Sequence, residues 1–138
     1  PFFMALVINK IKSFKWSVNY EAPEDDEHIE VKFKAIFKRM PQKYITKMAK
    51  LATPKLDKNG NELPSDFDPA PMANEVLIGW EDVNQENEDG DEVPLEFNKE
   101  NKESLLELPM MSAFIVFAYY EGITGKKLKN LQGQSNTL

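Results

Sequence analysis

Residues 109–120, with the sequence PMMSAFIVFAYY, constrain the fold most strongly, because they contain no charge and most of their side chains are large and apolar. As an α-helix they would extend about 18 Å, which is shorter than the ~20 residues that a bilayer-spanning helix needs. A helix that is apolar on every side is instead buried in a core or covered by a partner. The sequence therefore predicts a helix over about residues 109–122, partly buried in the core and partly available to a partner.

Two alternating segments predict the surface on which this helix packs. Apolar residues occupy every second position of residues 13–21 and again of residues 28–38: Phe14, Trp16, Val18 and Tyr20, then Ile29, Val31, Phe33, Ala35 and Phe37. This alternation is typical of half-buried β-strands. An acidic linker with one proline separates the two segments. We therefore predict an antiparallel β-hairpin over residues 10–39, with Trp16 anchoring its apolar face in the core.

Further helices are predicted where apolar residues recur at helical spacing, over about residues 41–53, 70–83 and 98–108. The helix predicted over residues 70–83 contains Gly79 and would place Trp80 in the core. Residues 54–71 hold four prolines and are expected to form a surface loop. The predicted fold class is α+β, with an N-terminal antiparallel β-hairpin and a mostly α-helical domain of about four helices. We expect residues 1–123 to form one domain and residues 124–138 to form a flexible, disordered tail.

Composition removes several classes of function. The net charge of −6 makes a general nucleic-acid partner unexpected, and no membrane partner is predicted. The chain has no cysteine and one histidine, His28, so thiol catalysis and Cys-based zinc sites are excluded. The glycines form no phosphate-binding loop, and no serine lies in a nucleophile elbow. We therefore predict no enzyme activity, no catalytic residue, no cofactor and no metal.

An acidic run at residues 85–96 is the segment that most resembles a metal site. With Gly90 at the sixth position of an EF-hand loop, Glu96 takes the twelfth, but Gln85 takes the first, where a carboxylate is expected. A solvated acidic turn is therefore the favoured interpretation. A calcium-dependent module or a small acidic-site hydrolase is retained as the third hypothesis of function.

Charge is distributed unevenly along the chain. Residues 1–56 contain 11 Lys and Arg against 6 Asp and Glu, a net charge of +5. Residues 57–107 carry −13 and residues 108–138 carry +2. The basic front and the acidic middle either attract each other within the fold or present opposite charges to partners.

The apolar helix also supplies the candidate partner-binding residues. Methionine and aromatic side chains are enriched at protein interfaces, and a helix so uniformly apolar has more apolar surface than one core face requires. The candidates for contact with a partner, or with a second copy of the chain, are Met110, Met111, Phe114, Phe117, Tyr119 and Tyr120.

The order of several short motifs along the chain is distinctive. FKW occurs at 14–16, FKRMP at 37–41, VLIGWEDV at 76–83 and DGDEVPLEF at 89–97, and the apolar helix ends in YYE at 119–121. This pattern covers about residues 13–130 and resembles the tail assembly chaperones of long-tailed bacteriophages. The block at 76–97 is its most specific part, although the acidic loop at 84–92 is longer than expected for the family.

The resemblance implies a non-enzymatic protein of the infected bacterium's cytoplasm that is absent from the mature virion. Its implied partners are the tape measure protein, which it holds, and the tail tube protein, whose subunits it helps to recruit. Self-association would suit the coating of a long client. Translational frameshifting near the codons of residues 125–127 is a further hypothesis that the resemblance suggests. The alternative function is a structural virion protein, either a tail tube or a head–tail joining subunit.

Overall fold

The computed structural model describes residues 3–8, 12–63 and 65–125. In chain order, its elements are β1 (Ser13–Glu24), β2 (Glu27–Lys38), α1 (Gln42–Ala52), β3 (Lys55–Leu56), β4 (Glu62–Leu63), α2 (Pro69–Val76), β5 (Leu77–Glu81), β6 (Asn84–Glu86), β7 (Glu92–Pro94), α3 (Lys99–Leu106) and α4 (Met111–Thr124). The predicted α+β class, the N-terminal hairpin and the four helices are confirmed. The predicted tail of residues 124–138 began too early, because Thr124 is the last residue of α4 and Gly125 caps it. The rest of that predicted tail, from residue 126, lies outside the described residues.

The hairpin of β1 and β2 is long and regular. Its pairing runs without interruption from Ser13 opposite Lys38 to Glu24 opposite Glu27. The apolar side chains of both strands share one face, as their alternation predicts. Strand β5 extends this sheet on the β2 side, in the order β1-β2-β5, and pairs only with the part of β2 nearest Lys38.

The predicted helix over residues 70–83 is wrong in its second half. Helix α2 ends at Val76, and the chain continues directly as strand β5. Gly79 does not lie inside a helix but opposite Ile36 of β2, where an added Cβ would come within 3.0 Å of the Ile36 Cδ1 atom. Short apolar runs fit both periods, and here pairing with β2 favours the strand. Trp80 is nevertheless buried, as predicted.

Two surface loops contain the same tight turn. In residues 57–61 and in residues 87–91, the first side chain is Asp or Asn, and its Oδ1 accepts the backbone N–H groups of the third and fifth residues. The fourth residue is glycine with φ near +83° at Gly60 and +82° at Gly90. This Asx turn connects β3 to β4 and β6 to β7. The predicted loops therefore contain two small hairpins.

Helix α4 lies at the centre of the core, between α2 and β1. The side chain of Tyr119 is fully buried, and its ring lies 5.2 Å from the ring of Phe37 and 5.6 Å from that of Phe14. The Tyr119 hydroxyl donates a hydrogen bond to the carbonyl oxygen of Lys38 and accepts one from the backbone N–H of Met40, both at 3.0 Å. One side chain thus joins α4 to the backbone at the end of β2.

None of the helices in the described part of the chain is both long and apolar enough to cross a membrane.

Candidate functional site: an apolar partner-binding surface

The apolar face of the hairpin is longer than the helix that covers it. Each strand has twelve residues, which extend about 40 Å at ~3.3 Å per residue. Helix α4 has fourteen residues, which extend only about 21 Å at 1.5 Å per residue. Consequently the part of β2 near Lys38 is buried, whereas Val31 and Ile29 are 44 % and 42 % exposed.

An apolar surface forms where the covering helix begins. Tyr20 connects its parts: Val31 is directly opposite Tyr20 in the hairpin, and the Tyr20 hydroxyl donates a 2.8 Å hydrogen bond to the carbonyl oxygen of Pro109. The ring of Phe114 packs edge-on against the ring of Tyr20, with the centroids 5.6 Å apart. The residues on either side of Pro109 are exposed and apolar. We call this set the corner surface: Val31, Leu108, Met110 and the half-buried Phe114.

Met110 is the most exposed member of the corner surface, with 69 % of its surface accessible. Its backbone is left-handed, with φ of 64°, and it immediately precedes the first residue of α4. A left-handed conformation costs a residue with a Cβ about 1–2 kcal/mol. A large apolar side chain is therefore held in solvent on a strained backbone, and residues with such strained backbones cluster at active sites and ligand clamps.

Replacing Met110 with Gly is expected to raise the free energy of unfolding by about 0.5–1 kcal/mol. Glycine adopts φ of 64° without the Cβ clash, and the strain that is relieved, about 1–2 kcal/mol, exceeds the cost of glycine's greater entropy in the unfolded chain. Urea denaturation followed by circular dichroism measures the change. Met110→Ala is the matched control, since alanine keeps the Cβ and should not stabilise the protein. A glycine variant less stable than the alanine variant would contradict the strain argument.

The six predicted partner-binding residues are divided by the structure. Met110 is exposed, while Phe114, Phe117 and Tyr120 are half-buried. Met111 and Tyr119 are 2 % and 0 % exposed and belong to the core. A partner can therefore reach Met110 and part of Phe114 on the folded protein, but it cannot contact Met111 or Tyr119 unless α4 moves.

Sequence patterns did not indicate two members of the corner surface, Val31 and Leu108. The signal for Val31 was present, because a helix of the predicted length cannot cover strands of the predicted length. Leu108 follows the end of α3 and precedes Pro109, so its exposure depends on how the chain turns between two helices. That turn includes the left-handed Met110, which nothing in the local sequence marks.

Three tyrosines cluster at the other end of α4. Burial raises the pKa of the Tyr119 hydroxyl, although its hydrogen bond with Met40 and the charge of Arg39 act in the opposite direction. Burial also raises the pKa of Tyr120, and burial together with the negative charge of Glu75 raises that of Tyr44. All three hydroxyls are therefore neutral near pH 7. Within the described residues, the buried Tyr120 hydroxyl has no hydrogen-bond partner.

The acidic segment does not form a metal-binding arrangement. Asn87 uses its Oδ1 atom to accept two backbone N–H groups of its own turn. In residues 3–8, 12–63 and 65–125, no group of three or more His, Asp or Glu side chains is placed to hold a metal ion.

Comparison with known proteins does not assign a relative: no protein family, no curated protein and no solved structure matches this chain.

Proposed function

We propose that this protein is a non-enzymatic tail assembly chaperone of a long-tailed bacteriophage. It would bind the tape measure protein and help recruit tail tube subunits in the cytoplasm of the host bacterium, without remaining in the mature virion. The motif order described above supports membership of this chaperone family. The corner surface supports a role in protein binding. A chaperone for an elongated helical client needs apolar surface that stays accessible after folding.

The observation that carries the proposal is the exposure of Met110, which follows Pro109, the residue whose carbonyl oxygen accepts the Tyr20 hydrogen bond. Val31, directly opposite Tyr20 in the hairpin, is also exposed. Both residues flank the Tyr20–Pro109 hydrogen bond where α4 begins, so a bound apolar helix would continue the cover that α4 provides. Interface energy is commonly concentrated in a few apolar anchors at the centre of the contact. Met110 is the best-placed anchor because it is unbranched, flexible and adaptable to an irregular client surface.

Co-expression with the tape measure protein, followed by affinity capture, tests the proposal. We expect the wild-type chain to be recovered with the tape measure protein. The Met110→Asp variant should bind the tape measure protein at least about tenfold more weakly, since a charge would enter an apolar contact. Leu56→Asp is the matched control, because Leu56 is 64 % exposed and lies outside the corner surface. Thermal unfolding of both variants verifies that they are folded.

Two outcomes would contradict the proposal. If wild-type protein does not capture the tape measure protein, the tape measure protein is not its client. If mass spectrometry finds the chain in purified virions at structural stoichiometry, the chain is instead a tail tube or head–tail joining subunit.

A further inference from the structure

Residues 3–8 form an apolar stretch that the fold leaves in solvent. Phe3, Met4, Leu6 and Ile8 are each at least 72 % exposed, and Val7 is 45 % exposed. None of these side chains belongs to the hydrophobic core or packs against it. We call residues 3–8 the apolar segment. Exposed apolar side chains grouped in this way indicate that the segment binds an apolar surface.

The apolar segment lies near the end of the hairpin from which the chain continues into α1. Residues 9–12 connect it to Ser13, and the five residue steps from Ile8 to Ser13 extend at most about 18 Å. The backbone N–H of Arg39 donates a 2.9 Å hydrogen bond to the carbonyl oxygen of Lys12. Helix α1 begins shortly after Arg39, at Gln42. The apolar segment and α1 therefore belong to the same end of the molecule.

This end of the molecule is positively charged. Lys43, Lys47 and Lys50 follow one another at intervals of four and three residues, so they share one side of α1, which we call the lysine face. All three residues are exposed, and none forms an ion pair in the part of the chain that the structure describes. Lys12 and Arg39 add two more exposed cationic residues. This positive charge is available to an anionic partner.

Acidic residues elsewhere in the chain do not cancel this charge. Residues 21–30 contain six acidic residues, but the twelve-residue strands place this tip of the hairpin about 36 Å from the start of β1. At about 0.15 M salt, charges are largely screened beyond ~8 Å. Nearer to α1, two carboxylates are already paired, Glu75 with Lys38 at 3.8 Å and Asp66 with Lys55 at 3.7 Å. The basic end can therefore approach an anionic surface although the whole chain is negative.

We propose that this end of the molecule binds the surface of an anionic lipid membrane. The side chains of the apolar segment enter the boundary between headgroups and acyl chains, and the lysine face lies on the headgroups. A short apolar anchor alone binds weakly and reversibly, and a cluster of basic residues supplies the second attraction that stable binding needs. Composition does not indicate this site, because the net charge of −6 averages both ends of the chain. The inference goes beyond the proposed function and does not depend on the client.

A lipid surface fits these two features better than a nucleic acid does. The lysine face would attract either partner. Single-stranded nucleic acids, however, bind by stacking their bases on aromatic rings, and Met4, Leu6, Val7 and Ile8 have no ring. Aliphatic side chains beside lysines are instead the combination that binds at the interface of an anionic membrane.

Co-sedimentation of the purified full chain with lipid vesicles tests the proposal. One set of vesicles contains equal parts of phosphatidylglycerol and phosphatidylcholine, and the other contains phosphatidylcholine alone. At about 0.1 M salt we expect the chain to bind the anionic vesicles at least about tenfold more tightly, and ~1 M salt should remove this difference. If the chain stays in the supernatant with anionic vesicles at every lipid concentration, or binds both sets equally at low salt, the proposal is overturned.

Two matched variants test insertion of the apolar segment. Leu6→Asp with Ile8→Asp should bind the anionic vesicles at least about tenfold more weakly than wild type, since carboxylates would replace the inserted side chains. Leu56→Asp with Leu63→Asp is the control, because it makes the same change in charge at two exposed leucines of the β3–β4 hairpin, which follows α1. The control should remain within about threefold of wild type. Equal losses in both variants would refute insertion, because charge repulsion alone would then explain them.

Neutralising the lysine face tests the electrostatic part of the contact. Lys43→Gln, Lys47→Gln and Lys50→Gln together should weaken binding to the anionic vesicles at least about tenfold and leave binding to phosphatidylcholine unchanged. Thermal unfolding verifies that each variant is folded, as expected for changes at exposed residues. Unchanged binding to the anionic vesicles would refute the role of α1. Binding of single-stranded RNA without binding of vesicles would identify this end as a nucleic-acid site and overturn the proposal.

Discussion

Replacing Tyr119 with Phe is expected to lower the free energy of unfolding by about 2–4 kcal/mol, although only one oxygen atom is lost. The ring would keep its edge-on contact with Phe37. The carbonyl oxygen of Lys38 and the N–H of Met40 would lose their partner in a part-buried setting. An unsatisfied backbone group costs about 1–3 kcal/mol, so two of them account for the predicted loss.

Tyr20→Phe is the matched control for this prediction. The Tyr20 hydroxyl makes one hydrogen bond in the structure, to the carbonyl oxygen of the exposed Pro109. Water can replace that bond, and the expected loss is therefore only about 1 kcal/mol. Urea denaturation of both variants at pH 7 provides the comparison. Equal losses in the two variants would show that the Tyr119 hydroxyl, which links α4 to the end of β2, contributes no more to stability than the Tyr20 hydroxyl does.

Replacing Gly122 with Ala is expected to destabilise the protein by about 1–2 kcal/mol, against the ordinary preference of helices. Alanine in a helix is normally favoured over glycine by about 1 kcal/mol. Here an added Cβ would overlap the Cε2 atom of Phe14. The Phe14 ring is held between Phe37 and Tyr119, and such overpacking typically costs about 1–3 kcal/mol.

A double-mutant cycle tests the cause. In a Phe14→Leu background the ring is absent, and Gly122→Ala should become neutral or stabilising, with a coupling energy of at least about 1 kcal/mol. Chemical denaturation of the four proteins gives that coupling. If alanine is equally destabilising with Leu at position 14, the close approach of α4 to β1 is not the reason for the glycine.

Sequence patterns predict the hairpin and α4 well because the features that determine them, the alternation within each strand and the absence of charge in the helix, lie in consecutive residues. Strict alternation fixes which face of each strand is buried, and the observed pairing has all the predicted apolar residues on one face. Charge-free residues after Pro109 have few alternatives to burial. Strand β5 was predicted as helix because five residues do not distinguish the two periods, and its state is decided by β2, forty residues upstream.

Only part of the candidate site could be predicted from the sequence in the same way. Of the six residues predicted to bind a partner, Met110 is exposed and Met111 is buried. Neighbouring residues of a uniformly apolar helix differ only in the direction they face, and that direction depends on packing against α2 and β1. The hydrogen bonds of Tyr119 likewise depend on contacts between residues about eighty positions apart.

The position of α4 at the end of the described chain has a consequence during synthesis. The hairpin is complete once Lys38 has been made, but α4 ends 86 residues later, at Thr124. At about 5–20 residues per second, a ribosome takes roughly 4–17 s to make the intervening chain. Throughout that interval Phe37 and its neighbours lack the helix that will bury them. We expect the nascent hairpin to be the part of this protein most dependent on the host's own folding factors.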